Sequence, residues 1–232
     1  VHEGAVRGLD LHLARLEASS GELFGDSVGE DRLRGLMRAA VSGRADAWLR
    51  VSLFAPEITH RAASWTGRPR VMIGVFDPPT PLGDLRVLPV AYLREAPSLK
   101  HVATFGLIRA RREAMRVGFD DALFIHPDGR VLEGTLWNLG FVSGDEVVWP
   151  EGPKLEGVTR ALIARGLAAV GLRQRQAAVA LDDLSAFDHA FLCNSATPAA
   201  SITAIGERTF VRCPDLITRL TAAWESAPAQ KI

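Results

Sequence analysis

The sequence predicts an α/β (α+β) chain of two domains, a small N-terminal α/β domain and a larger, strand-rich domain with a few helices. Three observations predict it. Amphipathic helical patterns open and close the chain, at 9–23 and 214–225. Two hairpin signals follow one another in its middle, at 120–135 and 137–150. Between these regions "DPPTPLG" at 77–83 packs three prolines into a stretch that can be neither helix nor inner strand. The expected divisions are therefore 1–76 for the small domain, 77–83 for a linker and 84–232 for the larger domain.

Each element has its own signal. In "LDLHLARLEASSGEL" Leu9, Leu13, Leu16 and Leu23 fall near helical spacing, with Gly21 and Gly25 close to the stop. Residues 31–41 repeat the amphipathic pattern, and "AWLRVSLFA" (47–55) and "RVMIGVF" (70–76) are rich in β-branched and aromatic residues. Beyond the linker, "LRVLPVAYL" reads as a strand and 102–117 as a helix ending at Gly118. "DDALFIHPDGRVLEGT" is a hairpin turning at Pro127-Asp128-Gly129, and "WNLGFVSGDEVVWP" is a second, turning at "SGDE". "EGVTRALIARGLAAVGL" is a helix with Gly157 at its entrance, and "DHAFLCNSATPAASITAIG" is a strand ending in a polar turn.

Composition narrows the function classes. Lys+Arg and Asp+Glu are both 27 among 232 residues, which argues against nucleic acid or an anionic membrane as the main partner. No apolar run approaches the roughly 18 residues of a membrane helix, and "VHEGAVRGLD" has no signal-peptide core. Cys193 and Cys213 have no metal-ligand spacing, so neither a metal site nor a disulfide framework is expected. The expected setting is a soluble protein in a reducing cytoplasm.

Four features carry candidate chemistry. Lys100 follows a Pro-Ser-Leu turn, and His101 to Phe105 offer it no acid. Apolar neighbours would desolvate its ammonium and free the amine as a nucleophile, unless it is a snorkelling surface lysine. Glu133 follows the returning strand of the first hairpin, either aimed into a cleft or exposed at a strand end. Gly157, Val158 and Thr159 open a helix whose free N–H groups suit a phosphate, or are simply capped. Ser195 and Thr197 end an apolar strand, where they would donate to the same phosphate or close a turn.

In this order, "SLKH" (98–101), "GFDDALFIHPDGRVLEGTLWNLGFV" (118–142), "LEGVTRALI" (155–163) and "FLCNSATPAASITAI" (191–205) carry a resemblance to a known family. With "HLARLEAS" (12–19) and "AWLRVSLF" (47–54), the chain resembles the class IV aminotransferases over nearly its whole length. These are the fold-type-IV pyridoxal-phosphate enzymes, among them branched-chain and D-amino-acid aminotransferases and aminodeoxychorismate lyase. The resemblance implies a two-domain fold whose larger domain is a pseudo-barrel, and pyridoxal 5'-phosphate as cofactor. It implies that Lys100 holds that cofactor as a Schiff base and shuttles the substrate proton. It implies that Glu133 pairs with the pyridine nitrogen, and that Arg15, the Val158 and Thr159 N–H groups and Ser195 bind the phosphate. Arg50 matches an arginine that receives a substrate carboxylate, with a surface strand residue as the alternative reading.

The chain also departs from the family pattern. Phe105 stands where aminotransferases often place a tyrosine that bonds the ring oxygen, and Ala103 where lyase and D-amino-acid members often have asparagine. Val1 falls after the family's usual first strand, so the expectation is a trimmed start or a differently built pocket. The function expected is amino transfer between an amino acid and a 2-oxo acid. The alternative is an aminodeoxychorismate lyase, releasing 4-aminobenzoate and pyruvate, which "LKH" and "CNSATP" resemble locally; a non-catalytic cofactor-binding relative is the remote third. The resemblance further implies a homodimer.

Overall fold

The computed structural model describes residues 1–232, which form two units: Val1–Thr80 with Pro228–Ile232, and Pro81–Ala227. In the first unit β1 (Ala5–Arg7) passes through Gly8, at φ 66°, into α1 (Leu9–Phe24). The helix stops where Gly25 takes φ 69° and its N–H donates to the Gly21 carbonyl, the left-handed close that a side chain resists. Helix α2 (Glu30–Ala40) begins with Glu30 and Asp31 and ends with Arg38, charges that complement its dipole. Strands β2 (Trp48–Phe54) and β3 (Arg70–Phe76) pair antiparallel along their full length, from Trp48 opposite Phe76 to Phe54 opposite Arg70. Leu9, Leu13, Leu33 and Met37 form the core of this unit, and the helical spacing seen in the sequence is the spacing that buries them.

The second unit is built on one sheet. Its elements are β4 (Leu85–Ala91), α3 (Phe105–Arg116), β5 (Asp121–Ile125), β6 (Val131–Gly134), β7 (Asn138–Ser143) and β8 (Glu146–Pro150). They continue with α4 (Val158–Gly166), β9 (Arg173–Ala177), β10 (His189–Cys193), β11 (Ala200–Ile205), β12 (Arg208–Thr209) and α5 (Pro214–Glu225). The strand order is β6-β5-β4-β11-β10-β7-β8-β9, with β12 beside β11. Although β6 and β7 lie far apart in this order, Gly134 N–H donates to Trp137 O at 2.9 Å, so the sheet is curled into a half-barrel.

Alternation along the strands sorts side chains between two faces. Leu123, Val131, Leu139, Phe141, Leu192 and Ile202 fill one cluster. On the opposite face Ala122, Phe124 and Leu132 pack with Leu107, Ala110 and Ala114 of α3. Farther along the sheet, Val147, Trp149 and Phe191 pack with Ile163 of α4 and Leu220 of α5. Each such fully buried side chain is worth about 1.5–3 kcal/mol relative to exposure, so the sheet is a rigid frame for what it carries.

Several details differ from the sequence reading. The chain returns at Pro228, and β13 (Ala229–Lys231) pairs antiparallel with β1, so the last five residues belong to the first unit. The single strand read from 188–206 is two antiparallel strands, β10 and β11, because the polar Asn194–Thr197 turn reverses the chain. Helix α3 starts at Phe105, leaving Val102 and Ala103 in the segment before it. Strand β9, "RQRQA", has no apolar alternation and owes its conformation to parallel pairing with β8 at the sheet edge. No helix is long and apolar enough to cross a membrane.

Candidate active site

The first hairpin sets Glu133. Gly129 at φ 89° lets the chain reverse, His126 N–H donates to Arg130 O at 2.8 Å, and Asp128 accepts from Arg130 Nε at 2.8 Å. That guanidinium holds the Asp128 carboxyl well below its ordinary range. The fixed turn opens β6, whose pairing with β5 shifts register between Leu123 opposite Gly134 and Ile125 opposite Val131, so Leu132 and Glu133 together span the single partner residue Phe124. Glu133 is 5% exposed. Rather than standing at an exposed strand end, its carboxylate lies inside the unit.

The carboxylate has one satisfied oxygen and one that is not. Leu155 N–H donates to Oε2 at 3.1 Å. Oε1 is buried with no hydrogen-bond partner, and Arg94 Nη1 is 3.9 Å away. Burial pushes the carboxyl from its ordinary 4.5 up to about 7; Arg94, the Leu155 N–H, Lys100 and Lys154 pull it back down, in that order. The desolvation cost of burying a carboxylate therefore exceeds what three nearby cations return.

Arg94 follows β4 and is itself buried. Its Nη2 donates to Pro97 O at 2.9 Å and to Leu99 O at 2.6 Å. The turn it grips includes Ala96 at φ 41°, an uncommon conformation for a residue with a Cβ, and Leu99 N–H donates to Ala96 O at 2.9 Å. On the far side His101 Nε2 donates to Glu95 O at 2.8 Å. Lys100 thus lies between two fixed neighbours. It is exposed, and this corrects the expectation that apolar residues desolvate it. The turn tucks Leu99 into the core and leaves the next side chain outward.

The α4 entrance is tied to the same carboxylate. Leu155 N–H meets Glu133, while Leu155 O accepts from Asn138 Nδ2 at 2.8 Å. Two residues on, Gly157 packs so closely on the Asn138 side-chain oxygen that a Cβ would collide with it. Val158 and Thr159 are buried and follow an extended Gly157 with no side-chain cap, so the N–H groups of the first turn have no intrahelical acceptor. Cys193, at the end of β10, pairs with Asn138, which brings the Asn194–Thr197 turn to the same end of the sheet. Within that turn Asn194 Oδ1 accepts from Ala196 and Thr197 N–H groups at 2.9 and 2.8 Å. Thr197 Oγ1 accepts from Leu82 N–H at 2.7 Å and so holds the fold together, whereas Ser195 is exposed beside it.

The second unit therefore brings together Lys100, Glu133, the Val158–Thr159 entrance and the Ser195 turn. Arg15 and Arg50 belong to the first unit. Arg15 is half-buried on α1, its Nη2 donating to His12 Nδ1 at 3.4 Å. Arg50 is exposed on β2, opposite Gly74, with its guanidinium 5.6 Å from the Phe76 ring. Phe105 is 79% exposed at the first position of α3 and brings no hydroxyl. Arg94 and Lys154 escaped the sequence reading. Lys154 is buried in the β8–α4 connection, with Nζ 3.3 Å from Glu156 Oε1. The signal available for Arg94 was an arginine one short turn before the lysine.

These groups fit pyridoxal phosphate. The orphaned Glu133 oxygen suits a pyridine N–H, the primary amine of Lys100 suits an aldehyde, and uncapped N–H groups with a serine hydroxyl suit a phosphate.

The family model described as Amino-transferase class IV matches residues 1–205, and the chain belongs to that family. Over 98 residues it is 34% identical to a "Probable branched-chain-amino-acid aminotransferase" of Synechocystis, a stretch covering 41% of this chain and 31% of that protein. The match thus spans under a third of that relative's length. Among solved structures, a "Putative 4-amino-4-deoxychorismate lyase" from Legionella pneumophila superposes with TM-score 0.82 at 20% identity, covering 97% of this chain and 88% of that one. A hypothetical aminotransferase from Mycobacterium tuberculosis in a PLP-bound form gives TM-score 0.80 at 22% identity, covering 97% and 87%. At these identities the likeness establishes the fold, a fold-type-IV half-barrel with a smaller α/β unit.

Proposed function

We propose that the chain is a pyridoxal-phosphate-dependent aminotransferase that moves an amino group between an amino acid and a 2-oxo acid, with Lys100 carrying the cofactor. The observation that supports this most is the partnerless Glu133 Oε1, buried and facing Arg94, on a carboxylate whose other oxygen anchors the approach to α4. A buried acceptor without a donor is costly in a fold that ends there, and is explained when a ligand brings the missing N–H. When bound, pyridoxal phosphate supplies an electron sink for negative charge at an amino acid's Cα.

The chain's own residues divide the remaining work. Lys100 Nζ attaches the cofactor and, once substrate has displaced it, takes the Cα proton and holds it for return. The side chain is exposed at the end of its turn, on the side from which added cofactor arrives. Glu133 Oε1 accepts from the pyridine nitrogen and keeps it protonated. The N–H groups of Val158 and Thr159 and the Ser195 hydroxyl bind the phosphate, where the α4 dipole favours an anion. Arg15 adds a guanidinium to that phosphate and Arg50 receives a substrate carboxylate; both roles rest on the sequence motifs. Substrates are small molecules, the assembly is a homodimer and the setting is cytoplasmic. Light scattering that finds an active monomer would remove the dimer from this reading.

A lyase is the second reading. It is favoured by the local "LKH" and "CNSATP" motifs, while Ala103, standing where lyase members often have asparagine, weighs against it. The two chemistries separate in one spectrophotometric experiment. An aminotransferase loses its cofactor band with an amino donor alone and regains it when a 2-oxo acid is added. A lyase keeps the band across L- and D-amino acids and releases pyruvate from aminodeoxychorismate. Reversible loss with glutamate, alanine or a branched-chain amino acid is the expected result.

A further inference from the structure

We propose that Arg94 is the positioning residue of this site: one terminal guanidinium nitrogen fixes the turn that presents Lys100, and the other sets a positive charge against the Glu133 carboxylate. The inference rests on the reading of Lys100 and Glu133 as the cofactor's two anchors.

The geometry assigns each nitrogen of the fork a task. Nη2 binds Leu99 O at 2.6 Å, on the residue immediately before Lys100, and Pro97 O at 2.9 Å. Because Ala96 within the same turn is held at φ 41°, the turn is not one that a free chain would choose, and the buried guanidinium supplies the restraint. Nη1 lies 3.9 Å from Glu133 Oε1, beyond hydrogen-bond length, so the contact acts through charge. Nε is buried with no partner, so part of the guanidinium's donor capacity is left unmet.

Other charges near Glu133 do not duplicate the role. Lys100 precedes α3 and is exposed. Lys154 precedes α4 and is paired with Glu156, which also accepts from Arg160. Of the three cations that lower the Glu133 carboxyl, Arg94 acts most strongly. A planar fork that binds backbone on one side and faces a carboxylate on the other is a task suited to arginine, and an ammonium cannot reproduce it.

Two measurements on the full chain test the proposal, with Arg94→Gln and Arg94→Lys alongside the wild type. The first follows the side-chain carboxyl of Glu133 by carbon-13 NMR across pH before any cofactor is added, its signal identified by its absence in Glu133→Gln. The second follows borohydride-trapped attachment of added pyridoxal phosphate to Lys100. Arg94→Gln is expected to raise the Glu133 midpoint by about one to three pH units, the effect of removing a cation at this range. Arg94→Lys is expected to leave the midpoint near the wild-type value yet slow attachment about tenfold or more, because the charge remains and the turn is loosened. An unmoved midpoint in Arg94→Gln, or attachment at the wild-type rate in Arg94→Lys, overturns the proposal. Should Arg94→Gln fail to fold, the attachment rate of Arg94→Lys decides alone. If the wild type itself takes up no cofactor at Lys100, the functional reading fails while the Glu133 midpoint still decides the role of Arg94.

Discussion

Glu133 and Asn138 hold opposite sides of one residue: Glu133 Oε2 accepts the Leu155 N–H at 3.1 Å, and Asn138 Nδ2 donates to the Leu155 carbonyl at 2.8 Å. Glu133 lies near the end of β6 and Asn138 starts β7, so the curl of the sheet brings both side chains to the same stretch of backbone before α4. Through Leu155 the acid proposed for the pyridine nitrogen and the helix entrance proposed for the phosphate become one rigid piece.

Removing one side of that clamp has a measurable cost. Asn138→Ala leaves a buried carbonyl without its donor and is expected to destabilise the protein by about 1–3 kcal/mol, read by denaturant unfolding. Cofactor affinity should fall with it, since the α4 entrance loses its brace. Unchanged affinity in a folded Asn138→Ala protein would separate Leu155 from the phosphate site.

Glu133 gives a pH signature as well as a catalytic one. Folded Glu133 holds its proton up to about 7, against an ordinary 4.5. Between those values the folded state binds more protons than the unfolded chain, so stability falls as pH rises through that window. The fall is on the order of 3 kcal/mol in cofactor-free protein and is absent in Glu133→Gln, as measured by unfolding at a series of pH values. With cofactor added, Glu133→Gln should retain binding but lose about 10²-fold or more in turnover, the scale of a removed charge-stabilising contact. Near wild-type turnover would take Glu133 out of the mechanism.

Arg15 makes a third, separable case. Arg15→Ala is expected to weaken cofactor binding by about 10–100-fold, the worth of charged hydrogen bonds to a phosphate. Excess pyridoxal phosphate should partly restore activity. A binding isotherm identical to the wild type would remove Arg15 from the phosphate's ligands.

Much of this arrangement was legible in the chain because its signals are local. Pro127-Asp128-Gly129 announces a reversal, and the reversal starts the strand that carries Glu133. Leucines at helical spacing announce α1, and a Gly-Val-Thr run announces the entrance of α4. What escaped the reading depends on contacts between distant residues. Strand β9 consists of polar residues and exists because β8 offers it a partner. Arg94 and Lys154 sit in ordinary-looking loops, and their meaning appears when Glu133 is folded against them. Asp121 similarly accepts from Thr135 at 2.8 Å and Trp137 at 3.0 Å, fixing the connector between Glu133 and Asn138 by bonds that no spacing reveals. Lys100 shows the limit of composition. Its apolar neighbours suggested burial, but a turn can bury one residue and expose the next.

The central claim is that Lys100 is the residue that carries the cofactor. Purified protein saturated with pyridoxal phosphate, reduced with borohydride and digested, should yield one labelled peptide spanning "SLKH" with the adduct on Lys100. Lys100→Ala should yield none. An adduct mapped to Lys154 or Lys231 in the wild type, with Lys100 unmodified, would contradict the account.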